Sequence, residues 1–165
     1  MGHRGAVERY CLRFGVNSRV EASVKIAIAS DHAGFPLKAV LADELAGMGH
    51  LVADLGATDS VTSVDYPDFG RLCAREVAGG RVDMGVVVCG SGIGISIAAN
   101  RVPGARCALV HDNLSARLAR LHNDANMIAF GARTTGVETA RDALRAFLET
   151  PFEGGRHQRR IDQLA

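Results

Sequence analysis

Two kinds of apolar pattern alternate along the chain from Val24 onward. Short continuous apolar runs predict five β-strands, at residues 24–29, 51–55, 84–88, 107–110 and 126–130. Between them, apolar residues recur at every third or fourth position, as Leu37, Leu41 and Leu45 do, which is typical of amphipathic helices. These helices are predicted to begin near Pro36, Pro67, Gly92, Leu114 and Val137, with the first ending at Gly49 and a short basic helix closing the chain.

Strands that alternate with helices imply a parallel sheet with helices on both faces. The pattern therefore predicts a three-layer α/β/α, Rossmann-like sandwich around a five-stranded parallel sheet. In such sheets ligands bind beyond the carboxyl ends of the strands. Polar side chains follow the predicted strands at that edge: Asp31, His32, Tyr66, Cys89, His111, Asp112 and Arg133.

Composition narrows the class of protein. With 165 residues, 47% of them apolar and 22% charged, the chain has the size and make-up of one globular domain. A net charge of +1 argues against nucleic-acid binding, and no apolar run approaches the roughly 20 residues of a membrane span. We expect residues 1–23 to form a loosely ordered N-terminal extension and residues 24–165 to form the single domain.

The cysteines bear on the compartment. Cys11, Cys73, Cys89 and Cys107 show neither metal-ligand nor disulfide spacing, and Cys73 and Cys107 fall in apolar patterns that indicate reduced core thiols. Because free thiols persist in reducing surroundings, the sequence favours a cytoplasmic protein.

A glycine-rich turn joins the third predicted strand to the next helix. Cys89 ends the strand, Ser91 follows, and glycines at 90, 92 and 94 let backbone N–H groups turn toward one point. A helix N-terminus there favours an anion and stabilises a thiolate. The spacing fits neither a dinucleotide fingerprint nor a phosphate-binding P-loop nor a cysteine-phosphatase loop, and a purely structural turn stays possible.

Two further candidates lie elsewhere in the chain. His122 and Asn123 come near the end of a helix that runs back against the strands, so they should lie at the opposite edge of the sheet from Cys89. A catalytic His122 would then serve a neighbouring subunit, whereas the simpler alternative is a histidine that caps its helix. Arg156 and Arg160 share a helix face and suit a phosphate dianion, or else belong to a solvated basic tail.

Together these motifs resemble the family of ribose-5-phosphate isomerase B and its galactose- and allose-6-phosphate relatives. The matching segments cover residues 24–165 in order: Ser30-Asp-His-Ala-Gly-Phe35, Asp65-Tyr-Pro67, the segment Cys89–Asn100, His122-Asn-Asp124 with Asn126, and the segment Gly154–Arg160. The resemblance implies an aldose–ketose isomerisation through a cis-enediolate, without metal or cofactor, on a small sugar phosphate. It also implies a homo-oligomer, dimer or tetramer, whose active site is shared between subunits.

The resemblance also assigns roles to residues of this chain. Cys89 is the expected base, with Ser91 and the loop of Gly90, Gly92, Ile93 and Gly94 holding the enediolate oxygen. His122 of an adjacent subunit and Asp31 are expected to open the sugar ring. Phosphate binding is assigned to His32, Arg156 and Arg160, together with Arg133 of a partner subunit. Tyr66 and Asn123 are expected to line the sugar site. The family more often has threonine where Ser91 stands, which keeps the hydroxyl.

Ribose 5-phosphate is the favoured substrate on this basis. The alternatives are another sugar phosphate (allose 6-phosphate, galactose 6-phosphate or a tetrulose phosphate) and, in a different class, a non-catalytic module that binds sugar phosphates. Binding alone requires no base, so the presence of Cys89, Asp31 and His122 favours an enzyme.

Overall fold

The computed structural model describes residues 23–164, so all but the last residue of the predicted extension lies outside the described part. The strands are β1 (Lys25–Ser30), β2 (Leu51–Asp54), β3 (Met84–Cys89), β4 (Cys107–Leu109) and β5 (Met127–Gly131). The helices are α1 (Phe35–Gly47), α2 (Tyr66–Ala78), α3 (Ile93–Ala99), α4 (Asn113–Asn123), α5 (Val137–Glu149) and α6 (Gln158–Ile161), with a 3₁₀ turn at Gly155–His157.

All five strands pair in parallel, in the order β2-β1-β3-β5-β4. The chain leaves β1 for β2 on one side and returns to β3 on the other, which makes the β1/β3 boundary a topological switch point. Ser30 at the end of β1 pairs with Val88 of β3. Asp31 and Cys89, the next residue along each strand, therefore lie side by side at the mouth of that crevice.

Two hydrophobic cores cover the two faces of the sheet. The valines of β3 alternate between them: Val86 and Val88 belong to the core under α1, α4 and α5, and Val87 to the core under α2 and α3. Cys89 lies on the same face as Val87, with Ile95 of α3. The predicted three-layer sandwich with a five-stranded parallel sheet is confirmed.

Most predicted boundaries shift by one residue. β1, β3 and β5 each run one residue further than predicted, because the ladder still pairs Ser30 with Val88 and Cys89 with Gly131. The first helix ends at Gly47 rather than at Gly49. α4 extends over Asn113–Asn123, longer than predicted, since the Asp112 carboxylate accepts the N–H of Ser115 at 2.7 Å and caps its start.

The interpretation of the core thiols is confirmed. Cys73 and Cys107 are free and buried, and burial raises the pKa of Cys73 to about 12 and that of Cys107 further still. Among residues 23–164, no helix is long and apolar enough to cross a bilayer.

Candidate functional site

Cys89 is held by the loop that follows it. Its side chain is only 4% exposed, and the N–H of Gly92 donates to its Sγ at 3.1 Å. Gly92 adopts a φ of +76°, a left-handed conformation that glycine takes without strain. A backbone donor directly before α3 therefore fixes the position of the sulfur.

Ser91 is fixed by a second backbone donor. Its Oγ accepts the N–H of Ile93 at 3.3 Å. The loop also lies against the end of β5, where a Cβ on Gly131 would come within 2.5 Å of the carbonyl carbon of Ser91. The two N–H groups at the start of α3 thus orient the Cys89 and Ser91 side chains, and the Ser91 hydroxyl keeps its own proton for a further acceptor.

Asp31 lies next to Cys89 across the switch point. It is 6% exposed, and its carboxylate accepts the N–H of Gly34 at 2.8 Å. Gly34 is required there because a Cβ would come within 2.5 Å of the Val88 carbonyl oxygen. A buried carboxylate is therefore fixed beside a thiol.

His32 ties a loop to this edge. Its Nδ1 accepts the N–H of Val64 at 3.2 Å, which links the segment before α2 to the end of β1. Because Nδ1 accepts, the neutral ring carries its proton on Nε2, where it can be donated to a ligand.

Tyr66 and Arg133 flank the glycine loop. Tyr66 is the first residue of α2, and its ring lies so close to Gly94 that a Cβ there would be 2.5 Å from the ring. The Arg133 N–H donates to the Gly90 carbonyl at 2.9 Å, and its guanidinium would be 3.3 Å from a Cβ on Gly90. The structure therefore places the chain's own Arg133 beside this loop.

The remaining predicted site residues form a second group at the other end of the sheet. α4 has 11 residues, about 16 Å of helix, and carries His122 and Asn123 to the edge where the strands begin. Arg106, just before β4, donates from Nε to the carbonyl of Asn123 at 3.2 Å. Arg156 is exposed on the 3₁₀ turn, and Arg160 is exposed on α6, which follows directly. One chain therefore separates the predicted site residues into two groups, as the helix direction indicated.

His157 joins this second group and was missed by the sequence analysis. Its ring stacks on that of His122 with centroids 4.3 Å apart and planes within 9°. The Glu153 carboxylate lies 3.9 Å from His122 Nε2 and 3.7 Å from His157 Nε2. His157 stands directly after Arg156, inside the basic segment, and its presence between two arginines was the available signal.

Lys38 was also missed. It is 1% exposed, and its ammonium lies 2.6 and 2.7 Å from the two carboxylate oxygens of Asp54 and 2.7 Å from the Ala57 carbonyl. The backbone of residues 56 and 57 in turn pairs with Ser30, immediately before Asp31. Its spacing from Leu41 and Leu45 placed a lysine in the apolar stripe of α1, which signals a buried ion pair.

Lys38→Met should lower the free energy of unfolding by about 1–3 kcal/mol. The substitution keeps the apolar stem but leaves the Ala57 carbonyl and the half-exposed Asp54 without their donor. Urea denaturation measures the change. Lys25, the chain's other lysine, is exposed, and Lys25→Met is the matched control. Equal stability of the two variants would contradict the structural role of the buried ammonium.

Known proteins share much of this sequence. The sequence model of the Ribose/Galactose Isomerase family matches residues 26–164. Ribose-5-phosphate isomerase B of Escherichia coli strain K12 is 45% identical over 140 residues, which are 85% of this chain and 93% of that protein.

Two solved structures are similar throughout the domain. Ribose-5-phosphate isomerase B of Clostridium thermocellum is 47% identical with a TM-score of 0.83, covering 85% of this chain and 94% of its own. The enzyme of Mycoplasma genitalium, solved with bound ribulose 5-phosphate, is 40% identical with a TM-score of 0.82, covering 85% and 93%.

Proposed function

The chain belongs to the ribose/galactose isomerase family and is an aldose–ketose isomerase, and we propose that it interconverts ribose 5-phosphate and ribulose 5-phosphate with Cys89 as the base. The observation that carries this proposal is the Cys89 thiol. It lies at the mouth of the switch-point crevice, receives the Gly92 N–H and adjoins the buried carboxylate of Asp31. A base beside hydrogen-bond donors is what proton transfer between adjacent carbons requires.

The proposed reaction moves one proton between two carbons and one between two oxygens. The Cys89 thiolate removes the proton from carbon 2 of the open-chain aldose, the electron pair forms the double bond between carbons 1 and 2, and the carbonyl oxygen becomes the enediolate oxygen. The thiol returns the proton to carbon 1. The proton of the carbon 2 hydroxyl passes to the oxygen on carbon 1, which leaves a ketone at carbon 2 and a hydroxyl at carbon 1. No metal or cofactor enters these steps.

Ser91 is the proposed donor to the enediolate oxygen. Its Oγ already accepts the Ile93 N–H, so its hydroxyl proton is directed elsewhere. The Gly92 N–H serves sulfur in the ground state and keeps the thiolate oriented as charge passes to the substrate. In this proposal the N–H groups of Gly92 and Ile93 hold the side chains of Cys89 and Ser91. Gly90 and Gly94 line the cavity, beside Arg133 and Tyr66.

Phosphate binding is proposed to involve both groups of residues. The His32 imidazole donates from Nε2, and Arg133 lies over Gly90 on the same chain. Arg156 and Arg160 stand at the opposite end of the sheet, so only a neighbouring subunit could bring them to this crevice. Guanidinium groups from two chains would then enclose one dianion.

Ring opening is proposed to use His122 of the neighbouring subunit and Asp31. With Asn123 and Tyr66 lining the sugar, this requires a homo-oligomer, dimer or tetramer, in which each chain completes the site of another. Ile93 and Ile97 of α3 are 54% and 52% exposed beside the Cys89 loop, which supports contact with a second copy there. The free thiols of the described residues support a cytoplasmic setting, in pentose phosphate metabolism.

The proposal is tested by steady-state isomerase assays on ribose 5-phosphate, allose 6-phosphate, galactose 6-phosphate and erythrulose 4-phosphate, with chelator present. We expect the highest kcat/KM for ribose 5-phosphate and full activity in chelator. Higher kcat/KM for another sugar phosphate would keep the base and change the substrate. Tight binding without turnover of any would indicate a binding module instead.

A further inference from the structure

We propose that His122, Glu153 and His157 form a binding site for a divalent transition-metal ion of the zinc type, and that its occupation inhibits the isomerase. The inhibitory part rests on the proposed role of His122 in ring opening, whereas the binding part rests on geometry alone. In the described part of the chain, one potential ligand atom from each of these three residues lies within 4.8 Å of the others.

The distances suit an ion better than direct hydrogen bonds. The Glu153 Oε2 is 3.9 Å from His122 Nε2 and 3.7 Å from His157 Nε2, both beyond hydrogen-bond range. Ligands about 2.0–2.1 Å from a tetrahedral zinc ion lie roughly 3.4 Å from one another. The lone pairs of stacked rings lie in parallel planes, so the three side chains reach one ion when the half-exposed His122 turns out of the stack. Two imidazoles and a carboxylate are also a set of ligands that zinc takes in proteins.

The backbone positions these ligands before any ion arrives. The Glu153 N–H donates to the Leu121 carbonyl at 3.1 Å, which fixes the C-terminal segment against the end of α4. Gly154 and Gly155, with φ of +70° and +57°, turn the chain between Glu153 and His157. His157 is 4% exposed and rigidly placed, whereas the His122 side chain is 38% exposed and free to swing out of the stack.

Neighbouring charges set the expected affinity. Arg156 and Arg160 lie in the same segment as His157 and are positively charged. Arg156 donates from Nε to His157 Nε2 at 3.4 Å, and an ion must displace that contact. The two arginines also repel a cation. We therefore expect moderate affinity.

Occupation has a direct consequence for the reaction. A metal ion on His122 Nε2 occupies the lone pair that would exchange a proton with the ring oxygen of the sugar. Zinc should thus lower turnover, and a chelator should restore it.

The binding part is tested by calorimetric titration of the full chain with Zn²⁺, and by the visible spectrum of the Co²⁺ form. We expect one ion per subunit and a tetrahedral Co²⁺ spectrum. Glu153→Gln and His157→Asn should each bind Zn²⁺ at least about 10-fold more weakly, the least that supporting residues of metal sites contribute. His111→Asn, which removes an exposed histidine elsewhere, is the matched control and should bind as the wild type does.

The outcomes separate the two proposals. Absence of Zn²⁺ binding, or equal binding by all variants, overturns the metal site. Binding with the expected pattern but no effect on turnover overturns the inhibitory part. Glu153→Gln should be less sensitive to Zn²⁺ than the wild type, each measured against its own metal-free rate. A protein that binds Zn²⁺ as expected but isomerises no sugar phosphate would keep the site and reject the proposed function.

Discussion

Cys89→Ala should lower kcat/KM for ribose 5-phosphate by about 10²–10⁴-fold, the range that a positioned acid–base group contributes. The thiol lies at the switch point and receives a backbone donor, and residues 90–97 hold no carboxylate to replace it. Alanine has no atom that can take the proton from the substrate. It also leaves the Gly92 N–H without its acceptor. Steady-state assays of the purified variant measure the loss, and thermal unfolding reports whether the fold is intact.

Cys73→Ala is the matched control for this prediction. Cys73 is a buried thiol on α2, and its Sγ lies near the backbone carbonyls of Ala27 and Val86 rather than in the crevice. Its removal should cost some stability through the lost packing and leave the turnover number unchanged. A Cys89→Ala enzyme that keeps most of its activity would contradict the role of the thiol as base.

Two inactive variants should restore activity when they are combined. Cys89→Ala and His122→Asn damage opposite ends of the chain, so in a two-fold symmetric dimer with shared sites a hybrid carries one site with both changes and one with neither. Random pairing of equal amounts makes half of the dimers hybrids, which predicts recovery of about a quarter of the wild-type activity. Assay of the mixture measures this. Co-expression with two different affinity tags isolates the hybrid, which has one intact site of two and should show about half of the wild-type activity.

Two mixtures complete the experiment. Cys89→Ala combined with Asp31→Asn damages the same edge of the sheet in both chains, so no hybrid contains an intact site and activity should stay low. His122→Asn combined with His122→Ala is equivalent for the other edge. No recovery in the mixture of Cys89→Ala with His122→Asn would contradict sites shared between subunits. A His122→Asn variant that is active on its own would identify His122 as a helix cap.

Much of the fold could be predicted from the sequence because the buried face of a strand or helix requires apolar residues at a regular spacing. The valines of β3 are apolar on both faces, which is typical of a central parallel strand, and the stripe of Leu37, Leu41 and Leu45 fixes one face of α1. The side chains at the carboxyl edge followed from topology, since a strand end determines where the next residue lies. Boundaries were less accurate because the last ladder pair of a strand leaves little hydrophobic signal, as at Ser30 and Gly131.

The contacts of Lys38, Glu153 and His157 could not be predicted from the sequence, for a different reason. Lys38 meets Asp54 only because β2 lies beside β1, and charged residues are ordinarily interpreted as solvated. Glu153 and His157 reach His122 across β5 and α5, through the backbone contact of Glu153 with Leu121. Such clusters depend on tertiary proximity, which spacing along a single sequence does not encode.

The separation of the predicted site residues to opposite ends of the sheet also affects how the rate depends on protein concentration. On the proposed arrangement a lone chain holds the thiol without the imidazole that opens its substrate. Dilution below the dissociation constant of the oligomer should then reduce the rate per chain, and below that point total activity should rise with the square of the protein concentration. For a dimer the specific activity would thus report the subunit equilibrium, so a kinetic dilution series would measure the affinity of one subunit for another.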